Sequence, residues 1–289
     1  MERRIALEAP AKINIFLKVG ERRPDGYHSI LTLFQAVDLC DLVEVELSSS
    51  GVEIVAEGHV PQGEENLCVR AARAFERLYG GEVGARIRLH KRIPVGAGLG
   101  GGSSDAAAVL VGLNLLLGEP LNREDLERAA AEIGSDVPFF LSGGTAEARG
   151  RGELLQRLPS ARGLLTLLLN PGFSLSTAEV YREFDRLNPS PGPLGDIPEG
   201  LKRGLETGDA GLVGKHIRND LVEAALELAP VLRPALERLG REGPCGMSGS
   251  GPTLFLLSGD EEALVRAGIR LAFPWSSVVG FRDSGVAPL

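Results

Sequence analysis

The sequence predicts an α+β protein built from two units of similar size. Its 289 residues are enough for one large domain or two ordinary ones. Along the first half, short apolar segments typical of strands alternate with segments that carry apolar residues at helical spacing. The second half opens on an apolar run and continues mainly with helical patterns. We expect a domain boundary between residues 154 and 155, which gives units 1–154 and 155–289.

Apolar segments bounded by proline, glycine or polar residues predict the strands of the first half. These strands are Ile13–Val19, Leu31–Val37, Leu42–Leu47 and Ala85–Ile93. Apolar residues three and four apart, with capping residues at the ends, predict helices. These helices are Glu65–Leu78, Ser104–Leu117 and Asn122–Ile133. Glycines punctuate Gly134–Glu153, which predicts an irregular connector.

The second half begins with Leu164–Leu169, an unbroken apolar run that favours a buried strand. Prolines and glycines in Asn188–Gly200 predict a loop. Two or three helices are expected from Leu201 to Arg241. A loop of small residues then leads into a predicted strand over Thr253–Leu257.

Composition narrows the class of protein. The net charge of −8 argues against a nucleic-acid binder, although an acidic protein can still carry a locally positive pocket for an anionic small molecule. No apolar run reaches the length of a membrane span, so no membrane partner is expected. The three cysteines lie far apart, which disfavours a zinc site and fits a reducing cytoplasm. The expected partners are small molecules, while protein partners stay undefined.

The segment "PVGAGLGGGSSDAA", from Pro94 to Ala107, holds five glycines between a predicted strand and a predicted helix. A structural turn needs only one or two glycines. The spacing also matches G-x-G-x-x-G, but the acidic residue of a dinucleotide fingerprint would fall in Pro120–Asp125, at the start of another helix. The P-loop and protein-kinase motifs are absent from the sequence. A phosphate-binding loop of a different type is therefore favoured.

Such a loop binds phosphate through backbone N–H groups and the positive end of the following helix. The hydroxyls of Ser103 and Ser104 can cap that helix, or bind a phosphate or a magnesium ion. The residues predicted to bind the phosphates are Pro94, Val95, Gly96, Ala97, Gly98, Leu99, Gly100, Gly101, Gly102, Ser103 and Ser104.

This segment resembles the glycine-rich motif of the GHMP kinases, small-molecule kinases for galactose, homoserine, mevalonate and phosphomevalonate. The extra Gly101 and Gly102, and Asp105 in place of alanine, resemble one branch whose polyol substrate carries cytidine diphosphate. Further motifs resemble the same branch, and the resemblance extends from Ala9 to Phe255. These motifs are "APAKINIFLKVGERRPDGYHSI", "GSDVPFF" and "GMSGSGPTLF". The resemblance implies a GHMP kinase fold with a ribosomal-S5-domain-2-like nucleotide domain followed by a ferredoxin-like α/β domain.

Lys12 and Asp136 are the candidate catalytic residues. Taken alone, Lys12 fits a solvated lysine, and Asp136, two residues before Pro138, fits a helix cap. Phosphoryl transfer needs a group that accepts the proton of the attacking hydroxyl, and compensation of charge on the transferred group. The resemblance implies that Asp136 is the base and Lys12 its partner.

The substrate-binding candidates also rest on the resemblance. Taken alone, Tyr27 and His28 fit an exposed loop tip, and Tyr181 fits the packed face of a helix. The resemblance implies that a cytosine ring stacks on Tyr27, that His28 binds its edge, and that Tyr181, aligned by spacing only, covers the other face. It also implies that Asn14 and Thr177 contact the phosphates or the polyol.

The resemblance implies transfer of the γ-phosphoryl group of ATP to an alcohol, with Mg²⁺ expected and Ser104 as its candidate ligand. The segment Met247–Thr253 is expected to support the glycine loop first and to contact ligand second. His59, His90 and His216 have no partners at metal-binding spacing in the sequence. Two alternatives remain: a GHMP kinase for another alcohol, and a nucleotide-binding module without catalysis.

Overall fold

The computed structural model describes residues 4–49, 51–56, 60–61 and 63–289, and it confirms the α+β class. The elements of the first half are β1 (Arg4–Arg22), β2 (His28–Ser48), β3 (Val52–Ala56), α1 (Leu67–Tyr79), β4 (Gly84–His90), α2 (Gly101–Leu116), α3 (Arg123–Ile133), α4 (Val137–Ser142), β5 (Thr145–Arg149) and β6 (Leu154–Arg157). Those of the second half are β7 (Leu165–Asn170), α5 (Thr177–Leu187), α6 (Glu199–Thr207), α7 (Ala210–Gly214), β8 (Arg218–Asn219), α8 (Val222–Leu228), α9 (Leu232–Gly240), β9 (Cys245–Met247), β10 (Leu254–Ser258), α10 (Glu261–Leu271), β11 (Trp275–Gly280) and β12 (Ala287–Pro288).

The strands form two sheets. The larger sheet has the order β12-β1-β2-β4-β3, with β5 and β6 added beside β2 and the short β8 beside β1. The smaller sheet is antiparallel, with the order β11-β7-β10-β9. Chain from the second half therefore enters the larger sheet twice, through β8 and β12. The expected boundary at 154/155 coincides with the start of β6, which pairs with β5 in the larger sheet, and it stays a prediction.

The two strands predicted over Leu31–Val37 and Leu42–Leu47 are one continuous strand, so the predicted break is wrong. Asp38 and Asp41 lie between the two predicted segments. In the structure Asp41 is 1% exposed, and its Oδ1 accepts hydrogen bonds from the N–H groups of Arg92 and Ile93. The strand therefore continues, with an irregular register where β1 passes from Pro10 to Ala11.

Helices α1 to α4 pack on one face of the larger sheet. The alanine-rich start of α2 is fully buried there, because its small side chains allow the helix to lie close to the strands. This helix begins at Gly101, three residues earlier than predicted, with Gly100 at its N-cap. Helix α3 confirms the predicted cap, since the side chain of Asn122 accepts a hydrogen bond from the N–H of Asp125.

The predicted connector Gly134–Glu153 contains regular structure, so that expectation is wrong. It holds α4 and β5, and it is ordered because Phe139 and Phe140 are buried against Phe34 and the helices. In the second half, β7 and β10 confirm the two predicted strands, whereas α10 and β11 have no predicted counterpart. Among the helices of the described residues, we find none with the length and apolarity needed to cross a membrane.

Gly98 lies at a close approach between the two halves of the chain. Its φ is +75°, and a Cβ atom added there would lie 2.3 Å from the carbonyl oxygen of Ser248. Gly98→Ala should lower the free energy of unfolding by more than the roughly 1–2 kcal/mol that a left-handed conformation costs a non-glycine residue, because the two backbones must also separate.

The matched control for stability is Gly102→Ala in the same loop. A Cβ atom at Gly102 would come no closer than 3.8 Å to a side chain, and the residue is helical. This substitution should keep or raise stability by up to about 1 kcal/mol. Urea unfolding checks both values, and equal stabilities of the two variants would contradict the close approach at Gly98.

Candidate active site

A cavity of about 950 Å³ lies where the glycine loop meets β1, β2, the start of α4 and α5. It brings together nearly all of the residues proposed from the sequence. Those that line it are Lys12, Asn14, Tyr27, His28, Pro94, Val95, Gly96, Ala97, Gly98, Leu99, Gly100, Gly101, Gly102, Ser103, Asp136, Thr177 and Tyr181. Ser104 does not line this cavity; its side chain is fully buried.

Lys12 and Asn14 project from the same face of β1 because they are two residues apart on a strand. Lys12 is 4% exposed, and its ammonium donates a hydrogen bond of 2.6 Å to Oδ1 of Asn14. The same Nζ lies 3.4 Å from Oδ2 of Asp136 and 5.1 Å from the centre of the Phe34 ring. The buried ammonium is therefore compensated by a carboxylate, an amide and an aromatic face.

Asp136 immediately precedes α4, with Pro138 in the first turn. Its side chain makes no capping hydrogen bond, so the helix-cap interpretation is wrong for its carboxylate. The side chain is 31% exposed and lines the cavity. A carboxylate beside an ammonium, open to a cavity and not needed by the helix, can accept a proton from a bound hydroxyl.

The glycine loop is held by hydrogen bonds to three of its carbonyls, those of Ala97, Gly98 and Leu99. The N–H of Lys12 donates to the carbonyl of Leu99 over 2.9 Å. The hydroxyl of Ser248 donates to the carbonyl of Gly98 over 2.8 Å and accepts from the N–H of Asn14 over 3.2 Å. The segment Met247–Thr253 thus supports the loop, as expected from the sequence. The loop leads directly into the N-terminus of α2, the kind of site that favours phosphate.

Aromatic side chains line the other end of the cavity. Tyr27 is 55% exposed, and the guanidinium of Arg151 lies 5.0 Å from the centre of its ring. The rings of His28 and Tyr181 stack with centroids 5.5 Å apart and planes inclined by 29°. Burial, with a further contribution from the charge of Asp136, raises the pKa of Tyr181, so its hydroxyl stays neutral at physiological pH.

Thr177 is the first residue of α5, and its hydroxyl oxygen lies 2.9 Å from that of Ser250. The side-chain nitrogen Nδ2 of Asn14 donates a hydrogen bond of 2.8 Å to the hydroxyl of Thr32. Both groups reach the cavity with defined orientation. Asn14 and Thr177 can therefore offer polar contacts to a ligand that lies in the cavity with the glycine loop and the aromatic side chains.

Several residues that line the cavity were missed in the sequence. Three arginines, Arg22, Arg151 and Arg182, add positive charge around it. Arg151 stands between Gly150 and Gly152, and this flanking by glycines was the one local signal that pointed to a close approach. The other two arginines carry no local signal, because their position depends on how β1 and α5 meet.

Lys91, Asp41 and Asp105 form a buried cluster beneath the glycine loop. The ammonium of Lys91 bonds to both carboxylates and lies 2.6 Å from Oδ2 of Asp105. Burial opposes the charge of Lys91, but the two carboxylates raise its pKa above the usual value. Burial raises the pKa of Asp105 to about 7. Oδ1 of Asp105 has no hydrogen-bond partner, and the residue lines the cavity.

Magnesium would find few protein ligands here. Within the described part of the chain, no group of three or more His, Cys, Asp or Glu residues could hold a metal; His59 lies outside it. Mg²⁺ in phosphoryl-transfer sites is commonly bound by one or two protein oxygens and by phosphates of the substrate. The hydroxyl of Ser104 is buried in the first turn of α2 without a partner, which fits one such oxygen.

Comparison with known proteins identifies the family of the chain. The GHMP kinases N terminal domain matches residues 66–144, and the GHMP kinases C terminal domain matches residues 201–273. A 4-diphosphocytidyl-2-C-methyl-D-erythritol kinase of Geobacter metallireducens is 44% identical over 90% of this chain and 91% of its own length. One of Pelotomaculum thermopropionicum is 42% identical over 88% of this chain and 89% of its own.

Solved structures are similar over nearly the whole chain. A crystal structure of 4-(cytidine 5'-diphospho)-2C-methyl-D-erythritol kinase has a TM-score of 0.78 and 38% identity, and covers 96% of this chain and 99% of that one. A homoserine kinase from Cytophaga hutchinsonii has a TM-score of 0.79 at 24% identity, covering 100% of this chain and 98% of its own. The second likeness concerns the fold alone.

The chain belongs to the GHMP kinases, and the GHMP kinase fold expected from the sequence is confirmed. Kinases of this family use ATP as co-substrate and act on small molecules. Within the family, the chain belongs with the 4-diphosphocytidyl-2-C-methyl-D-erythritol kinases.

The raised pKa of Asp105 has a consequence for stability. Its carboxyl titrates near 3.8 ordinarily and near 7 in the folded protein. Between these pH values the folded chain keeps a proton that the unfolded chain has lost, so this group's contribution to stability falls as pH rises. Asparagine cannot titrate. The stability of Asp105→Asn relative to the unmodified protein should therefore rise from pH 4 to pH 8.

Urea unfolding at a series of pH values measures this difference. The matched control is Asp196→Asn, because the side chain of Asp196 is 90% exposed and pairs with Arg149 at the surface. Its stability should follow that of the unmodified protein across the range. Parallel curves for Asp105→Asn and the unmodified protein would contradict the raised pKa.

Proposed function

We propose that the protein transfers the γ-phosphoryl group of ATP to the 2-hydroxyl of 4-diphosphocytidyl-2-C-methyl-D-erythritol. The observation that carries the proposal is the pair of Lys12 and Asp136, with Nζ and Oδ2 3.4 Å apart, in a cavity that the glycine loop, Tyr27 and Tyr181 also line. A phosphate-binding loop, a base and a surface for an aromatic base are the parts that this reaction needs.

The chemical step uses Asp136 as the base. The hydroxyl oxygen of the substrate attacks the γ-phosphorus of ATP, the bond from that phosphorus to the bridging oxygen breaks, and ADP leaves. Asp136 accepts the hydroxyl proton. Lys12, oriented by its 2.6 Å hydrogen bond to Asn14, compensates the negative charge that gathers on the transferred group.

ATP is assigned to the first unit, 1–154, with its phosphates on the residues from Pro94 to Ser104. The start of α2 in this segment supports the assignment, because the N-terminus of a helix carries partial positive charge. Mg²⁺, which neutralises phosphate charge when it is bound, is assigned to the phosphates with Ser104 as its candidate ligand. The second unit, 155–289, would complete the site for the alcohol.

The cytosine of the alcohol substrate is assigned to the space between Tyr27 and Tyr181. Its diphosphate and polyol would lie between this space and Asp136, near Asn14 and Thr177. Arg22, Arg151 and Arg182 favour this path for an anionic ligand, because they add positive charge to the cavity lining of a protein whose net charge is −8.

We also propose that the reaction belongs to isoprenoid (terpenoid) precursor biosynthesis by the non-mevalonate route. The names of the related proteins support this proposal. The cytoplasmic location expected from the cysteine pattern stays a prediction.

The first experiment measures ADP release in a coupled assay with 4-diphosphocytidyl-2-C-methyl-D-erythritol, homoserine, galactose or mevalonate as the alcohol. We expect ADP with the cytidyl substrate only. ADP release with a different alcohol would support the glycine loop as an ATP site and would contradict the proposed pocket for the cytosine ring. ATP binding without ADP release on any alcohol would favour a nucleotide-binding module.

Asp136→Asn should lower kcat by about 10² to 10⁴-fold, the usual contribution of a general base. ATP binding, measured by titration calorimetry, should be retained because the carboxylate lies apart from the glycine loop contacts. Asp283→Asn, at an exposed position, is the control and should keep normal turnover. Near-normal turnover of Asp136→Asn would remove Asp136 from the mechanism.

A further inference from the structure

Both ring nitrogens of His28 face hydrogen-bond acceptors of the protein. Nδ1 lies 2.8 Å from the carbonyl oxygen of Gly20, and Nε2 lies 3.0 Å from Oδ1 of Asp185. These two contacts engage both nitrogen positions of the ring with protein atoms. Both nitrogens therefore contact the protein and not the edge of a base, the role that the resemblance implied for this side chain.

His28 lies instead between Asp185 and the aromatic wall of the cavity. Its ring stacks on Tyr181 and meets Phe184 edge-on, with centroids 5.9 Å apart and an interplanar angle of 87°. The imidazole side chain is 6% exposed, so its orientation is set by these neighbours and not by solvent. The imidazole ring cannot rotate without breaking one of its two polar contacts, to Gly20 or to Asp185.

Asp185 and Tyr181 are on the same face of α5, four residues apart. The side chain of Asp185 is 39% exposed and lines the cavity. Asp185, His28 and Tyr181 therefore form one connected unit that joins the start of β2 to α5 at the substrate end of the cavity.

We propose that Asp185 is a positioning residue, which acts through His28 to hold Tyr181 as one wall of the cytosine pocket. This inference rests on the proposed function, since it concerns the same substrate. Asp185 is the outer member of the unit: it sets the plane of the imidazole, and the imidazole sets the ring of Tyr181. The specificity for a base thus depends on a carboxylate that does not itself need to touch the base.

The test is steady-state kinetics of Asp185→Ala and Asp185→Asn. Asp185→Ala should raise KM for the cytidyl substrate about tenfold, the lower end for loss of a hydrogen bond to a charged group, with kcat and KM for ATP within about twofold of normal. Asp185→Asn should raise that KM less, because the amide oxygen still accepts a hydrogen bond from Nε2. A purely structural role would change all three constants together.

Glu183→Ala is the matched control on the same helix, because this carboxylate pairs with Arg186 instead. Its kinetic constants should stay normal. Tyr181→Ala supplies a second arm: adding Asp185→Ala to it should produce little further change, since the wall that Asp185 positions is already missing. Full additivity of the two substitutions would reject the connection between them.

Failure of this inference can be told from failure of the proposed function. If the unmodified protein turns over the cytidyl substrate and Asp185→Ala has a normal KM for it, only the role of Asp185 is rejected. If the unmodified protein neither turns over that substrate nor binds cytidine diphosphate in calorimetry, the base pocket itself is rejected. Should Asp185→Ala fail to fold in a thermal melt, Asp185→Asn carries the comparison, and a normal KM for it would reject the role.

Discussion

The site depends on the close contact between the glycine loop and the segment that contains Ser248. The hydroxyl of Ser248 accepts from the N–H of Asn14 and donates to the carbonyl of Gly98, so one side chain joins β1, the loop and the second half. The 2.3 Å that would separate a Cβ at Gly98 from the Ser248 carbonyl oxygen means that only glycine allows this approach. Once the backbones are in contact, Lys12 is brought beside the loop, with its N–H on the Leu99 carbonyl.

Two buried lysines illustrate how exposure separates a catalytic pair from a structural one. Lys91 lies between Asp41 and Asp105, and these two residues are only 1% and 2% exposed. The charge of Lys91 is therefore balanced inside the protein by two buried carboxylates. Lys12 is as deeply buried, but its carboxylate partner Asp136 has a side chain that is 31% exposed toward the cavity. A carboxylate that balances a buried ammonium and is also partly exposed to the cavity can take part in chemistry, whereas one that is almost fully buried mainly stabilises the fold.

Elements that are stabilised by nearby residues were predicted correctly from the sequence, whereas elements that depend on residues far along the chain were not. The cap of α3 at Asn122 was predicted correctly because its partner, the N–H of Asp125, is three residues away. The strand β2 was divided in error because Asp41 is stabilised by Arg92 and Ile93, which are far along the chain. The helix α4 and the strand β5 were not predicted within the connector, because Phe139 belongs to the core only through the packing of α4 against the sheet.

By itself, the sequence determined the α+β class, the position of the glycine loop, the family and part of the cavity lining, because these follow from composition and from motifs within short segments. The tertiary structure decided that Lys12 lies within 3.4 Å of Asp136, that the side chain of Ser104 is buried, and that His28 is held by Asp185 against Tyr181. Distances of this kind depend on strand register and on the packing of helices against sheets. They join residues far apart in the chain, where local propensity carries no information.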